Sequence, residues 1–245
     1  MLNVLNILTT ATPRPDIHVR AMFKVVDTLL KENIQNKIYW YINLDIPSMF
    51  TEHEVEETIN QINLFNNFYN QFYPNKIQIT ILKDHEEAHF GLAAKRLYGR
   101  LGRIEKLENY NNVFLWLEDD WAMKKTDEFM YELKKFFTSD QDFLMGTTTN
   151  KYISGHPFFF KSRFFNMMVE RYKTLKNTID PEVQILIVVR KFYGLDEIRN
   201  EQPSFKQFDV FYDVGRKWRE INLIKKQNKY KQHKTNSTWE LVDGI

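Results

Sequence analysis

Three adjacent carboxylates follow the most apolar short run of this 245-residue chain. Glu118, Asp119 and Asp120 come directly after the apolar residues from Val113 to Leu117. An unpaired carboxylate in apolar surroundings is costly, so the pattern predicts positive charge beside these acids. Mg²⁺ and Mn²⁺ prefer oxygen ligands and are commonly shared between carboxylates and substrate phosphates. The triplet therefore indicates a metal and phosphate site or, alternatively, a solvated turn whose acids cap the next segment.

A further carboxylate with a chemical use lies at the start of a helix predicted in the second half of the chain. In the stretch TIDPEVQ, Asp180 suits the helix cap, Pro181 the first helical position and Glu182 the first turn. Glu182 could act as a general base that takes the proton of an attacking hydroxyl. The helix dipole stabilises acids at this position without any catalytic role, so both interpretations stay open.

Strand and helix patterns alternate along the segments that must position these residues. Short apolar runs predict strands over residues 4–10, 37–44, 76–82, 113–117 and 143–147. Helical periodicity predicts helices over residues 17–31, 51–72, 92–109, 127–137 and from 180 onward, and two prolines place the first helix cap at Asp16. The alternation predicts an α/β fold with a mostly parallel central sheet and helices on both faces.

Several polar residues follow the predicted strands directly. Asp45 follows the second strand, and Lys83 and Asp84 follow the third. Ligands of parallel α/β sheets bind outside the carboxyl ends of the strands. These residues and the acidic triplet are therefore expected at one functional edge of the sheet.

Composition limits the class of protein and its partners. With 43% hydrophobic and 27% charged residues, the chain is typical of a globular protein, and we expect a single domain over residues 1–245. Its 34 Lys and Arg nearly balance 32 Asp and Glu, so the net charge of +2 predicts no general attraction to nucleic acid or membranes. The lack of cysteine excludes disulfides and thiolate sites. The sequence shows no signal peptide and no membrane-spanning run, so we expect a soluble, cytoplasmic protein without stable membrane insertion.

Four stretches of this sequence carry a resemblance to a known family. They are ILTTATPRPD, WYINLD, the basic helix that contains Arg96, and VFLWLEDDWAM. Together they resemble the nucleotide-sugar glycosyltransferases of the GT-A fold, which is Rossmann-like. The compact size and the tail FDVFYDVGRKWREINLIKK also resemble small viral and bacterial members of that family. The resemblance covers the order of elements in roughly the first two thirds of the chain. It implies that the acidic triplet is a variant of the DxD motif, which binds Mn²⁺ or Mg²⁺ and, through the metal, the donor diphosphate.

The resemblance also implies roles for residues at the strand ends. The donor nucleotide would lie against residues that follow the first strand, and Asp45 would pair with the nucleobase, commonly uracil in this fold. Arg96 would face a phosphate, or alternatively lie on a solvated helix face. The full set implied for the nucleotide is Thr9, Thr10, Thr12, Arg14, Asp45, Lys83, Asp84, Arg96, Glu118 and Asp119.

The resemblance implies three further sets of residues. Asp120 would be the first metal ligand, and it counts as catalytic because the bound cation stabilises the leaving diphosphate. Glu182 would be the catalytic base of an inverting reaction. An acceptor loop would lie in the aromatic-rich passage SGHPFFFKSRFF. The implied metal ligands are Asp120, Glu118 and His233, and the implied acceptor-binding residues are Trp121 and His156.

The expected function is a metal-dependent transfer of a sugar from a nucleoside diphosphate sugar, UDP-linked, to a hydroxyl of a glycan or glycoconjugate, with inversion favoured over retention. Residues 1–123 would bind the nucleotide sugar, and residues 124–245 would bind the acceptor and form the C-terminal tail. One alternative is a metal-dependent nucleotidyltransferase, although the first strand-helix turn lacks a glycine-rich loop with a lysine. The other is a non-catalytic nucleotide- or glycan-binding module of the same fold.

Overall fold

A mixed sheet with one antiparallel strand forms the centre of the chain. The computed structural model describes residues 4–32, 37–48, 50–84, 90–103, 112–147, 153–175, 181–194, 205–207, 210–215, 230–232 and 239–241. The strands in this part of the chain are β1 (Val4–Ala11), β2 (Lys37–Asp45), β3 (Ile77–Asp84), β4 (Asn112–Trp116), β5 (Trp121–Met123), β6 (Phe143–Thr147), β7 (Ile153–Lys161), β8 (Phe205–Gln207), β9 (Phe211–Asp213), β10 (Tyr230–Gln232) and β11 (Trp239–Leu241). The central sheet has the order β3-β2-β1-β4-β7-β6-β8, and within it only the pairs made by β7 are antiparallel.

Helices cover both faces of this sheet. They are α1 (Pro15–Arg20), α2 (Met22–Lys31), α3 (Glu52–Phe72), α4 (Phe90–Leu101), α5 (Thr126–Thr138), α6 (Ser162–Thr174) and α7 (Pro181–Tyr193). One apolar core joins the sheet to α2, α3 and α5, and a second core joins it to α4, α6 and α7. The predicted α/β fold is therefore confirmed. None of the helices in the described ranges combines the length and apolar character that crossing a bilayer requires.

The strand that precedes the acidic triplet is buried on both faces. All five residues of β4 are buried, because one core lies on each side of the sheet. Phe114 of β4 stacks on Phe160 and Phe165, with ring centroids 5.2 and 4.5 Å away. Burial on both faces explains why this strand has an unbroken apolar sequence.

The start of the first helical region differs from the prediction. Residues 17–31 form two helices, α1 and α2, which are separated at Ala21, where φ is −102° and ψ is −94°. Arg14 rather than Asp16 occupies the cap of α1, and Pro15 takes the first turn. Proline suits this position because it has no N–H to satisfy and its φ is already helical. Arg14 therefore leaves the sheet in a short turn directly after β1.

The sequence analysis expected a loop in the aromatic-rich passage, and this expectation is wrong. The passage forms nearly all of β7 and the start of α6. Phe158, Phe159 and Phe160 are fully buried between β4 and β6, so this apolar run is core. His156 accordingly belongs to a strand, and its side chain lies outside the described residues. The predicted helix over residues 92–109 corresponds to α4, and residues 104–111 also lie outside the described ranges.

The strand order reverses direction at β1. From β1 the chain moves to β2 and β3 on one side, and it then crosses to β4 on the other side. In open α/β sheets, this reversal opens a crevice at the carboxyl ends of the two strands, where ligands bind. Leu8 of β1 pairs with Trp116 of β4, and the Leu117 N–H donates to the Leu8 carbonyl at 2.9 Å. The segments after β1 and β4 therefore leave the sheet side by side at this switch point.

Candidate functional site

A buried arginine lies between two of the three acids at the switch point. The Arg14 guanidinium donates through Nη2 to Asp119 Oδ1 and through Nη1 to Asp120 Oδ2, the latter at 3.2 Å. The three side chains are only 8%, 7% and 8% exposed, in the order Arg14, Asp119 and Asp120. The positive charge that the sequence predicted beside the acids is therefore present, and Arg14 supplies it.

Asp119 is held by protein donors at both of its oxygens. Arg14 bonds Oδ1, while the Thr12 N–H donates to Oδ2 at 3.0 Å and His18 Nε2 lies 3.2 Å from Oδ2. Burial alone would raise the pKa of Asp119, but the charge of Arg14 and the bonds from His18 and Thr12 outweigh it and lower the pKa to about 2. Asp119 is therefore an ionised anchor for the loop after β1, and its occupied oxygens do not suit it to direct metal ligation.

Asp120 and Glu118 are the other two acids of the triplet, and both stay predicted metal ligands. Glu118 is half-buried and accepts a hydrogen bond from Trp116 Nε1 at 3.3 Å, and Asp120 contacts Arg14 through one oxygen. Within the described ranges, no group of three or more acid or histidine side chains is assembled around a metal position. Mg²⁺-type ions commonly use only one or two carboxylates together with waters and substrate phosphates, so a pair of acids is sufficient. The third implied ligand, His233, lies outside the described residues.

A glycine distant in sequence packs directly against Asp120. β5 and β9 pair in antiparallel register, and the Val214 N–H donates to the Asp120 carbonyl at 2.9 Å. A Cβ placed on Gly215 would lie 2.0 Å from Asp120 Oδ2 and 2.6 Å from its Cγ. Any side chain at position 215 would therefore push the Asp120 carboxylate out of its present position.

Gly215→Ala is expected to lower the free energy of unfolding by about 1–3 kcal/mol, the usual cost of overpacking. The physical reason is the clash with Asp120, which weakens the contact between Asp120 and Arg14. Urea unfolding of both proteins measures the effect. The control is Gly99→Ala in α4, because a Cβ on Gly99 meets nothing within 4 Å. Equal stability of Gly215→Ala and the wild type would contradict the close approach.

A second polar cluster lies at the ends of β2 and β3. Asp45 and Asp84 are register partners, and Asn43 Nδ2 donates to Asp45 Oδ1 at 2.9 Å. Arg100 donates to Asp84 Oδ1 at 2.9 Å and to Asn43 Oδ1 at 3.2 Å. Arg96, implied as a phosphate contact, forms an ion pair with Asp84 Oδ2 at 3.6 Å. Two arginines therefore pair with Asp84 in this cluster.

The carboxyl group of Asp45 retains a proton at neutral pH. Burial, followed by the charge of Asp84, raises the pKa of Asp45 to about 8, against the opposing effects of Arg96 and Asn43. The charge of Asp119 raises this pKa as well, which indicates that the two clusters influence one another. A protonated carboxyl group both donates and accepts hydrogen bonds.

Asp45→Asn is expected to change how stability depends on pH. The unfolded carboxyl group titrates near pH 4, so the stabilising proton on native Asp45 is fully effective below about pH 4 and lost as pH rises towards 8. Asparagine does not titrate. The stability of Asp45→Asn relative to the wild type should therefore increase between pH 5 and pH 9, as measured by urea unfolding. A difference that is independent of pH would contradict the raised pKa.

The other residues implied for the nucleotide occupy varied surroundings. Thr9 is fully buried, and its hydroxyl accepts a hydrogen bond from Trp40 Nε1 at 2.9 Å, so it packs within the sheet. Thr10 is also buried, whereas Lys83 is exposed at the end of β3. Trp121 is half-buried and begins β5 directly after Asp120. The residues brought together at the switch point are Thr12, Arg14, Asp119 and Asp120.

The catalytic base implied by the resemblance lies on another element. Glu182 is half-buried in the first turn of α7, and the predicted helix start at Pro181 is confirmed. This helix packs against α4 and α6. Asp180 lies outside the described residues. The role of Glu182 stays a prediction.

Several residues of the two clusters were missed in the sequence analysis. His18 is fully buried beside Asp119, Arg100 pairs with Asp84, and Gly215 lies against Asp120. For His18, the local indication of a role at this site is its position one turn after Arg14, in a helix that follows a strand end. Arg100 lies four residues after Arg96 on the same basic helix, where a solvated position would be equally compatible with the sequence.

Comparisons with known proteins add little to this geometry. No protein-family model matches the sequence, and no curated protein matches it. Among solved structures, the chain is similar to one described as "Crystal structure of 4-diphosphocytidyl-2C-methyl-D-erythritol synthase", with 10% identity and a TM-score of 0.44 over 89% of this chain and 98% of that chain. A likeness of this size supports no argument about activity. The candidate site therefore rests on the strand topology and on the contacts of Arg14, Asp119 and Asp120.

Proposed function

We propose that this chain is a nucleotide-dependent glycosyltransferase whose donor site lies at the switch point. The observation that carries the proposal is the buried cluster of Arg14, Asp119 and Asp120 at the carboxyl ends of β1 and β4. Charged side chains are rarely buried in proteins. This position in an α/β sheet is where ligands bind. A donor of the nucleoside diphosphate sugar class agrees with the acidic triplet and with the resemblance of the sequence.

The residues at the switch point suit the diphosphate of such a donor. Arg14 offers a planar set of donors that matches phosphate oxygens, and Asp119 fixes its orientation. Asp120, with Glu118, would hold Mn²⁺ or Mg²⁺. A cation bound there would stabilise the negative charge that develops on the leaving diphosphate. Trp121 follows these acids directly and would contact the acceptor sugar together with His156.

The second cluster suits the nucleobase end of the donor. Asp45 lies 4% exposed at the end of β2, and Asn43 fixes one of its oxygens. A protonated carboxyl group can accept from the uracil N3–H and donate to a neighbouring carbonyl oxygen. In an inverting reaction, Glu182 would take the proton of the acceptor hydroxyl.

A product assay tests this proposal. The chain is incubated with UDP-sugars, a glycan that offers an acceptor hydroxyl and Mn²⁺, and separately with CTP or UTP and a phosphorylated acceptor, while UDP, glycosylated acceptor and pyrophosphate are quantified. Release of UDP from a UDP-sugar is the expected result. Release of pyrophosphate would instead assign a nucleotidyltransferase. Nucleotide binding by thermal shift without either product would assign a binding module.

A further inference from the structure

We propose that Arg100 is a positioning residue that, through Asn43, makes Asp45 present a hydrogen-bond donor to the nucleobase. The inference rests on the proposed function and deepens it, because it names the group that contacts the base and the residue that orients it. An ionised aspartate at this position could only accept hydrogen bonds, so the inference reverses the polarity of the contact.

Asp45 lies beside the switch point and has one oxygen without a partner. Ala11 at the end of β1 is the register partner of Leu44, so Asp45 follows next to the segment that carries Thr12. Asp45 Oδ1 accepts from Asn43 Nδ2 at 2.9 Å, whereas none of the described residues hydrogen-bonds to Asp45 Oδ2. Oδ2 is therefore the atom that a nucleobase would contact.

The hydrogen bonds that connect α4 with the end of β2 run in one direction. Arg100 Nη1 donates to Asn43 Oδ1 at 3.2 Å, and Arg100 Nη2 donates to Asp84 Oδ1 at 2.9 Å. A guanidinium has donors but no acceptor, so the oxygen of the Asn43 amide faces Arg100 and its nitrogen faces Asp45. Arg100 therefore fixes Asp45 Oδ1 as an acceptor.

The proton of Asp45 then lies on Oδ2. Burial, followed by the charge of Asp84, raises the pKa of Asp45 to about 8 against the opposing effects of Arg96 and Asn43, and the charge of Asp119 raises it as well. Because Oδ1 accepts from Asn43, the O–H group is formed by Oδ2. This group can donate to a carbonyl oxygen of the base, while the second lone pair of Oδ1 can accept from the neighbouring ring N–H. Uracil offers this pair of groups.

Substitution of Asp45 distinguishes a donor from an acceptor. Asparagine has the shape of a protonated aspartate, and the Asn43 N–H would hold its amide oxygen at the Oδ1 position and its nitrogen at the Oδ2 position. Asp45→Asn should therefore bind UDP within about twofold of the wild type, whereas Asp45→Ala should bind it about three- to tenfold more weakly, the usual effect of a lost hydrogen bond.

Substitution of Arg100 tests the positioning role. Arg100→Met removes the donors, so the Asn43 amide is no longer held and UDP should bind about three- to tenfold more weakly. Inorganic pyrophosphate has no base, so its affinity should not change. In the Arg100→Met background, Asp45→Asn should weaken UDP binding further, because neither amide is oriented. The matched control is Arg103→Met, an exposed arginine in the turn after α4, which should bind UDP as the wild type does.

Isothermal titration calorimetry with Mn²⁺ at pH 7 measures these affinities, and infrared difference spectra add a measurement that needs no nucleotide. The wild type minus Asp45→Asn should show the carbonyl stretch of a protonated carboxyl group. The same difference in the Arg100→Met background should show this band at higher frequency, because Asn43 no longer has to donate to the Asp45 carbonyl oxygen. Should Asp45→Ala fail to fold, the band in the wild type still decides.

The outcomes separate this inference from the proposed function. Asp45→Asn that binds UDP as weakly as Asp45→Ala, or a wild type without the protonated band, would overturn Asp45 as a donor. Wild-type UDP affinity or an unshifted band in Arg100→Met would overturn the role of Arg100. A wild type that binds no nucleotide would overturn the proposed function, while the band and its shift would still support the hydrogen-bond chain from Arg100 to Asp45.

Discussion

Asp119→Ala is expected to lower the free energy of unfolding by about 3–5 kcal/mol, because it leaves Arg14 buried with half of its counter-charge removed. The same change takes a partner from the Thr12 N–H and from His18. Urea unfolding at neutral pH measures the loss. The pH dependence gives a second check: the pKa of native Asp119 is about 2, so its contribution is present above pH 4 and is lost as pH falls towards 2. The variant should lack this acid-dependent loss.

A surface ion pair provides the control for this experiment. Glu170 contacts Lys173 one turn further along α6, but both side chains are at least 60% exposed. Such pairs typically contribute about 0–1 kcal/mol, so Glu170→Ala should be close to the wild type in stability. If Asp119→Ala and Glu170→Ala lowered the free energy of unfolding by similar amounts, the contact of Arg14 with Asp119 would not be a buried anchor.

Asp120→Ala is expected to weaken Mn²⁺-dependent binding of UDP by about a hundredfold or more, which exceeds the usual effect of residues that only support a metal ligand. The physical reason is that Asp120 is the first ligand of the proposed cation site, and the cation there would hold the diphosphate. Binding of UDP without Mn²⁺ should change much less, because Arg14 stays anchored to Asp119. Isothermal titration calorimetry with and without Mn²⁺ separates the two effects.

The control for Asp120→Ala is Asp127→Ala, an exposed acid in the first turn of α5. It should bind UDP with Mn²⁺ as the wild type does. If Asp120→Ala bound UDP and Mn²⁺ with wild-type affinity, the assignment of Asp120 as a metal ligand would have to be abandoned.

Much of the fold follows from local patterns in the sequence. The four strands that build the parallel half of the sheet are confirmed to within two residues at each end, because each is a short apolar run between polar segments. Helix α3 begins with a capping box, in which the Glu54 N–H donates to the Thr51 hydroxyl at 3.2 Å and the Thr51 N–H donates to Glu54 Oε2 at 2.8 Å. The Phe158–Phe160 run lies in β7, which the sequence analysis does not predict, because a short apolar run does not distinguish a buried strand from other buried segments.

The site itself depends on contacts that no local pattern encodes. Arg14 and Asp119 are 105 residues apart, and only the adjacency of β1 and β4 brings them together. From the sequence, both residues are expected at the functional edge of the sheet, and a metal ion is expected beside the acids. An arginine nearby satisfies the same need for positive charge. Thr9 illustrates a second limit. The phase of β1 decides whether its hydroxyl faces a ligand or Trp40, and that phase is fixed by packing across the sheet.

The most direct test of the donor site is a crystal structure of the chain with UDP and Mn²⁺, with data collected at a wavelength where manganese scatters anomalously. We expect an anomalous peak within coordination distance of the Asp120 carboxylate, a diphosphate oxygen bound to the same ion, and Arg14 in contact with both Asp119 and the diphosphate. A structure in which UDP binds away from the carboxyl ends of β1 and β4, while Arg14 still bridges Asp119 and Asp120, would contradict the account.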